Sequence, residues 1–132
     1  MDSTREDQPI KKQSAHTPSR KSLGVLRHGV TKKVEACGYK FYVTVNFYDD
    51  SHEPGEVFIA IGKEGGVIAG FVDALAVTFS VALQYGVPKE VILEKYKHMR
   101  FDPMDHHNPS LVHAIAEAIE SVCDEQKTLW DV

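Results

Sequence analysis

The fold is decided by residues 41–48, Phe-Tyr-Val-Thr-Val-Asn-Phe-Tyr. Apolar side chains occupy every second position from Phe41 to Phe47, and the positions between them carry hydroxyl or amide groups. A two-residue period of this kind predicts a β-strand that buries one face and leaves the other at a surface.

Shorter stretches with the same character flank this strand. Thr31 to Cys37 precedes it and Glu56 to Ile61 follows it. The connections are a turn at Gly38-Tyr39 and a polar turn at residues 49–55. Short turns of this composition join antiparallel neighbours, so we expect a three-stranded antiparallel meander with one face buried.

Beyond residue 66 the apolar residues recur at spacings of three and four, which is typical of amphipathic helices. A first helix is expected to end at Gly86, and a second to run from Pro88 to about Lys97. A third is expected to begin after Asn108 as its N-cap, with Pro109 as its first residue. The side chains expected to face inward are Ile68, Phe71, Val72, Leu75, Phe79, Ala82 and Leu83 in the first helix, Val91, Ile92, Lys95 and Tyr96 in the second, and Leu111, Ile115, Ala118, Ile119 and Val122 in the third.

The order of elements predicts an α+β fold, βββααα, with three helices packed on one face of the sheet. The 132 residues are 42% hydrophobic and 26% charged, which suits one globular domain, and we assign it to residues 27–132. Residues 1–26 are expected to form a disordered basic and polar tail, because they hold few apolar side chains. Within the tail, Leu23 to Leu26 is an apolar cluster that can pack on the domain.

Charge is distributed unevenly along the chain. Residues 1–30 hold six basic and three acidic residues, and the remainder holds nine basic and 16 acidic residues. An acidic body disfavours nucleic-acid binding by the folded domain, because phosphate backbones are held chiefly by Lys and Arg. The basic tail is compatible with contact to a polyanion, although a solvated leader explains its composition equally well.

The cysteines and the apolar runs bear on the cellular compartment. Cys37 and Cys123 form no Cys-x-x-Cys pair, which excludes a zinc ribbon and a thioredoxin-like motif. The longest apolar stretch, Val67 to Leu83, is interrupted by polar residues and is expected to be a buried core helix rather than a membrane span. With no apolar leader segment, we expect a reduced, cytoplasmic protein without a membrane partner.

One candidate anion site is the turn Lys63-Glu64-Gly65-Gly66, which leads into the first helix. Free backbone N–H groups at a helix start attract anions, and Lys63 would add a positive charge. The alternative is that Gly65 and Gly66 only provide the backbone angles of a tight strand-to-helix turn.

A second candidate site follows the second helix, at His98 and Arg100. Arg100 can grip a phosphate or carboxylate through two parallel hydrogen bonds. The structural alternative is that Arg100 pairs with Asp102 while His98 interacts with the C-terminal end of the helix.

Metal binding is not the favoured interpretation of the adjacent histidines of the loop. His106 and His107 lie near Asp102 and Asp105, but adjacent residues of an extended loop point apart and no second ligand cluster follows. We therefore expect no metal site there. His113, beside apolar residues of the third helix, is expected to be a partly buried histidine with its polar atoms satisfied rather than a catalytic base.

Several short motifs occur in the same order as in a known family, over about Thr31 to Ile119. The chain resembles the C-terminal TSCPD-type domain of adenosylcobalamin-dependent (class II) ribonucleotide reductases. The motifs that carry the resemblance are Pro54-Gly55-Glu56-Val57-Phe58-Ile59, Lys63-Glu64-Gly65, Leu83-Gln84-Tyr85-Gly86-Val87-Pro88, Lys95-Tyr96-Lys97-His98-Met99-Arg100-Phe101-Asp102-Pro103 and Asn108-Pro109.

The resemblance has limits that affect function. The Thr-Ser-Cys-Pro-Asp string that names the family is absent, and Asn108-Pro109-Ser110 stands in that region. The large catalytic barrel of the reductases has no counterpart in these residues. Radical turnover needs a thiyl cysteine, a reducing cysteine pair and a bound cobalamin, so we expect this chain alone to carry no cofactor and not to reduce ribonucleotides.

Three functions remain open from the sequence. The first is a non-catalytic module that binds a nucleotide or another small anion, or that docks on a reductase chain. The second is a ribonucleotide reductase subunit or remnant that acts in trans in deoxynucleotide synthesis, with adenosylcobalamin reached only through the partner chain. The third is a stand-alone protein that sequesters a signalling nucleotide between protomers. Because a three-stranded sheet has open edges, we also predict a homo-oligomer.

Overall fold

The computed structural model describes residues 19–62, 66–101 and 110–130. Three strands come first and three helices follow, as the α+β prediction requires. The strands are β1 (His28–Ala36), β2 (Tyr39–Phe47) and β3 (Pro54–Ile61), and the helices are α1 (Val67–Gln84), α2 (Lys89–Lys97) and α3 (Leu111–Trp130). The sheet is antiparallel with β2 in the centre.

The first hairpin turns one residue earlier than the sequence pattern predicted. Cys37 and Gly38 are the turn residues, with φ angles of 54° and 79°, and Tyr39 already belongs to β2. Two consecutive positive φ angles are what a two-residue type I′ turn requires, and the backbone twist of this turn matches the twist of the strands. The predicted turn at Gly38-Tyr39 was therefore wrong by one residue.

The inner face of the sheet forms the core, as predicted. Phe41, Val43 and Val45 have no exposed surface, and Val57 and Ile59 of β3 are also buried. Helix α3 crosses β1 and β2, α1 runs beside β3, and α2 packs on α3. The three helices thus cover one face of the sheet.

Helix α1 buries a narrower arc than predicted. Its buried residues are Val72, Ala76, Phe79, Leu83 and Gln84. The expectation that Ile68 and Phe71 face inward is wrong, since they are exposed by 43% and 70%. A helix that is apolar on nearly all sides does not itself specify which arc will be buried.

The exposed apolar surface of α1 bears on the membrane question. By length and composition α1 is long and apolar enough to span a membrane, with a mean hydropathy of 1.8 and 28% of its residues buried. The prediction of a buried core helix therefore holds for one face only. That face is tied to the sheet by Ser80, whose Oγ accepts a hydrogen bond from Val57 N at 2.9 Å. This contact covers part of the open edge of β3, where strand polar groups lack a strand partner.

The two remaining helices differ in how well the sequence predicted them. In α2 the buried residue is Leu93, whereas Val91 and Lys95 are exposed, so their predicted inward orientation is wrong. All five predicted inward residues of α3 are buried. The cap of α3 is Ser110, whose Oγ accepts a hydrogen bond from His113 N at 3.0 Å. Ser110 therefore takes the role predicted for Asn108, which lies outside the described residues.

The segment before β1 is bonded to the domain. Arg20 Nε donates to Gln84 Oε1 at 2.6 Å, and Lys21 N donates to the Gln84 carbonyl at 2.8 Å. Tyr48 Oη donates to the Lys21 carbonyl at 2.6 Å, and the Leu23 side chain lies against Gly55. The predicted tail boundary at residue 26 stays a prediction, because residues 1–18 are not among those described.

Candidate functional site

The predicted anion turn is only partly described. Lys63 and Gly65 lie outside the described residues, and Gly66 directly precedes α1. Gly66 has φ 106° and ψ −164°, a backbone conformation that residues other than glycine rarely adopt. This agrees with the alternative interpretation for Gly66, in which it provides the backbone angles of a tight strand-to-helix turn. Anion binding at the turn stays a prediction.

The second predicted site lies elsewhere in the fold. His98 ends α2, and its backbone N–H donates to the Lys95 carbonyl at 3.2 Å. The side chains of His98 and Arg100 are exposed. Asp102, the proposed partner of Arg100, is outside the described residues. Gly66 starts a helix beside β3, whereas His98 and Arg100 follow a helix packed on α3. Within the described part, no hydrogen bond or ion pair joins the two predicted sites.

The sequence led to separate predictions for His106 with His107 and for His113, and the structure describes only His113. His106, His107, Asp102 and Asp105 lie outside the described residues. Across residues 19–62, 66–101 and 110–130, no group of three or more His, Cys, Asp or Glu side chains is placed to hold a metal. His113 is largely buried; its Nδ1 is 2.8 Å from the Lys97 carbonyl and its Nε2 is 3.3 Å from Glu117. The prediction of a satisfied histidine is confirmed.

The two thiols lie on different elements and in different surroundings. Cys37 is in the β1–β2 turn and partly exposed, whereas Cys123 lies on α3 and is buried. Burial raises the pKa of Cys123 to about 11, an effect that the nearby charge of Lys89 opposes without cancelling. Because the thiolate is the reactive form, Cys123 is inert near neutral pH.

The face of the sheet opposite the helices carries an open surface that the sequence interpretation did not single out. Tyr42 and Phe58 lie on this outer face and are 48% and 54% exposed. In the strand register Tyr42 is opposite Ala60, and Thr44 is opposite Phe58, so the two rings are diagonal neighbours. Exposed aromatic rings on adjacent strands form a platform that can stack on a flat ligand.

Two grooves meet at Tyr42 and Ala60. The first, which we call the basic groove, has a volume of about 600 Å³. The second, the helix groove, lies between the outer face of β3 and α1 and has a volume of about 480 Å³. Both volumes are in the range of small-ligand sites. The basic groove is lined by Lys33, Gly38, Tyr39, Lys40, Tyr42, Ala60 and Gly62.

The charges of the two grooves differ. In the helix groove, Glu56 receives hydrogen bonds from Arg27 at 2.8 and 2.9 Å and from Asn46 at 2.8 Å, so its charge is already matched. In the basic groove, Lys33 and Lys40 have no carboxylate oxygen within 4.0 Å among the described residues. Among the described residues of the two grooves, Lys33 and Lys40 of the basic groove therefore have positive charge available to a ligand.

A third cavity, of about 240 Å³, lies where the β2–β3 turn meets the ends of α1 and α2. Its cations are already paired: Lys21 bonds to Asp50 at 3.0 Å, and Lys89 bonds to Glu90 at 2.9 Å with Glu53 at 3.9 Å. A site with matched charges has little attraction left for an anion. We therefore take the basic groove as the candidate site.

Comparison with known proteins gives the family. The protein-family model of the TSCPD domain matches residues 11–122. The chain belongs to the TSCPD domain family. This confirms the resemblance drawn from the sequence motifs.

Relatives of this TSCPD domain are named vitamin B12-dependent ribonucleotide reductase. The protein of that name from Rhodopirellula baltica is 43% identical over 91 residues, which are 69% of this chain and 9% of the relative. Those from Streptantibioticus cattleyicolor and Streptomyces coelicolor are each 40% identical over 94 residues, which are 71% of this chain and 16% and 10% of the relatives. The matched part thus spans between about a tenth and a sixth of these relatives. No solved structure matches the chain.

Proposed function

We propose that these residues form a non-catalytic accessory domain of the ribonucleotide reductase type, which works by binding a nucleotide or another small anion. The observation that carries the proposal is the open outer face of the sheet, with ligand-sized grooves around the exposed ring of Tyr42. Binding sites of this kind are concave and combine apolar walls with a few polar groups.

The non-catalytic part of the proposal is supported by the thiols. A ribonucleotide reductase uses cysteines as radical carrier and reductant. Here Cys123 is buried with a pKa of about 11, and Cys37 lies in a turn at the end of a different element. Adenosylcobalamin would then be reached only through a partner chain, and the expected setting is the cytoplasm.

The test of ligand binding is thermal denaturation with a panel of ribonucleotides and deoxyribonucleotides, with the free nucleosides and inorganic phosphate as controls. A ligand at 100 times its Kd adds about 2.7 kcal/mol of stability, which raises the melting temperature by several degrees. No shift with any nucleotide or anion would contradict the binding proposal. Reduction of ribonucleotides by the purified chain with adenosylcobalamin would contradict the non-catalytic proposal.

A second candidate is docking on a reductase chain in trans, and the exposed apolar side of α1 favours it. Val67, Phe71 and Val77 are 72%, 70% and 62% exposed on one helix. Apolar surface of this kind marks protein interaction sites. Pull-down with a purified catalytic chain of a B12-dependent reductase tests this candidate, and Phe71→Asp should abolish capture while leaving nucleotide binding unchanged.

The third candidate, sequestration of a signalling nucleotide between protomers, needs a second copy of the chain. The same thermal panel extended with cyclic dinucleotides tests for the ligand. Sedimentation with and without that ligand tests for the assembly. A monomer in both conditions would contradict sequestration between protomers and leave the accessory domain as the proposal.

A further inference from the structure

We infer that the basic groove binds a nucleoside monophosphate or diphosphate, with its base stacked on Tyr42 and its phosphates held by Lys33 and Lys40. This inference rests on the proposed function, because it names the site and the ligand class of the binding activity proposed there. It differs from the two anion sites predicted from the sequence, at Lys63 to Gly66 and at His98 and Arg100.

The position of Tyr42 makes it suitable for stacking. It lies at the middle of the central strand, on the face away from the helices, and about half of its surface is exposed. Its register partner on β3 is Ala60, whose small side chain leaves space beside the ring. Aromatic side chains on an open sheet stack on bases with little dependence on the identity of the base.

Two lysines flank the ring on the same face. Lys33 is the register partner of Tyr42 on β1, and Lys40 lies two residues earlier on β2, so its side chain points to the same side of the sheet. Directly opposed residues on neighbouring strands are about 5 Å apart at Cβ, within reach of a lysine side chain. A phosphate group attached to a base stacked on Tyr42 would therefore meet both ammonium groups.

Lys33 and Lys40 form no ion pair among the described residues, whereas Lys32 on the same sheet does. Lys32, on the opposite face of the same strand, donates to Glu125 at 2.9 Å. The carboxylate nearest to the groove in the register is Glu35, which is opposite Lys40 but forms no ion pair with it among the described residues. Lys33 and Lys40 are exposed, so their ammonium groups are accessible to a phosphate group, with which they would form charge-assisted hydrogen bonds.

The rim of the groove leaves room for the phosphates. Gly38, with φ 79°, has no heavy atom within 4 Å of the position where a Cβ would stand. Gly62, also at positive φ, is on the β3 side and donates a long hydrogen bond of 3.4 Å to the Lys40 carbonyl. Gly38 in the first hairpin turn and Gly62 directly after β3 thus keep side chains away from the space between the lysines, where a small anion would lie.

Charge limits the ligand to a small one. A long nucleic acid needs many cationic contacts along its backbone, and the part of the chain after residue 30 holds nine basic and 16 acidic residues. Two lysines match the charge of a single mononucleotide or diphosphate. The groove volume of about 600 Å³ also suits one nucleotide rather than a strand.

The experiment is isothermal titration of the full chain with ADP, adenosine and pyrophosphate. ADP should bind more tightly than either fragment, because it uses both the ring and the lysines. Tyr42→Ala should weaken ADP binding by about fivefold to a hundredfold, the range for loss of one stacked base, and Tyr42→Phe should retain it. Tyr85→Ala, which removes an aromatic residue of similar exposure outside both grooves, should have no effect.

The lysines are tested with the double change Lys33→Gln and Lys40→Gln. It should weaken ADP and pyrophosphate binding by at least about tenfold, and it should lower the salt dependence of ADP binding while adenosine binding stays unchanged. Lys95→Gln with Lys127→Gln, on the helical side of the domain, is the matched control. Circular dichroism and the melting temperature of each variant confirm that it is folded.

The outcomes separate this inference from the proposed function. If the wild-type chain binds neither nucleotides nor anions, both fail. If it binds ADP and the Tyr42 and lysine variants bind it equally well, the proposed function stands and the basic groove is the wrong site. Loss of ADP binding in Lys63→Gln or Arg100→Gln, with the groove variants unaffected, would return the site to the turn or to the end of α2.

Discussion

The two faces of β2 carry similar side chains in different surroundings. Phe41 and Tyr42 are adjacent in sequence, yet Phe41 has no exposed surface whereas Tyr42 is 48% exposed. The same holds for Val43 and Val45, which are fully buried, and for Thr44 between them, which is half-buried. The buried residues of all three helices pack with the inner face, so the inner face supplies the folding energy and the outer face is available to a ligand.

The largest expected effect separates these two faces directly. Phe41→Ala should lower the free energy of unfolding by about 3–5 kcal/mol, because it removes a fully buried ring and leaves a cavity. Tyr42→Ala should lower it by about 1 kcal/mol or less, since its ring is already in water on one side. Urea denaturation of both variants measures the difference. Equal losses would mean that the outer face also supports the fold, and Tyr42 would then be a poor candidate for binding alone.

The pH dependence of stability extends the comparison to the two thiols, Cys123 on the buried side of α3 and Cys37 in the exposed β1–β2 turn. The pKa of Cys123 is raised from its ordinary 9.0 to about 11 by burial, so its contribution to stability is complete below pH 9. Between pH 9 and 11 the unfolded thiol ionises while the folded thiol does not, which favours unfolding by up to about 3 kcal/mol. Stability therefore falls as the pH rises through this range.

The measurement is urea denaturation at pH 8 and at pH 10.5, with the wild-type chain compared with Cys123→Ala. The wild-type chain should lose more stability than the variant over this range, and Cys37→Ser should lose as much as the wild type. Alkylation of the folded protein at pH 8 should modify Cys37 and spare Cys123. Rapid alkylation of Cys123 would contradict its burial.

The sequence predicted the inner face well because burial imposes a strict pattern there. The alternation from Phe41 to Phe47 and the apolar stripe from Leu111 to Val122 each allow only one face to be buried, since turning the element over would put its apolar side chains in water. In α1 the apolar residues surround the helix. Nothing in its sequence distinguishes Phe79, which is buried, from Phe71, which is 70% exposed; only the line of contact with β3 does.

The candidate site was beyond prediction for a related reason, which is the register of the first hairpin. A turn at Gly38-Tyr39 would keep the same side chains on each face but pair Tyr42 with Glu35. The observed turn at Cys37-Gly38 pairs Tyr42 with Lys33. A shift of this size leaves the core pattern intact, so the hydrophobic period cannot detect it, although it exchanges an acidic neighbour for a basic one.

A third prediction concerns the edge of β3, between the two faces. Ser80 Oγ accepts from Val57 N at 2.9 Å, and it lies 3.2 Å from Val57 O and 2.8 Å from Ala76 O, to one of which its hydroxyl donates. Ser80→Ala leaves the Val57 N–H without this partner and should cost about 1–3 kcal/mol. Thr78→Ala, at an exposed position of the same helix, should change stability by about 0.5 kcal/mol or less. Equal effects in urea denaturation would mean that water replaces the Ser80 contact.

The smallest expected effect tests whether the polar contacts of the outer face contribute to the stability of the fold. Thr31 and Thr44 face each other there, with their Oγ1 atoms 2.7 Å apart at an exposed position. Thr31→Val keeps the branched shape that a strand prefers and removes the hydroxyl, while water remains available to Thr44. The free energy of unfolding should therefore change by about 0.5 kcal/mol or less, in contrast to the effect of Phe41→Ala. A loss above about 1.5 kcal/mol in urea denaturation would show that polar contacts of the outer face hold the strands in register, and a ligand at Tyr42 would then compete with the fold rather than use a surface that the fold leaves open.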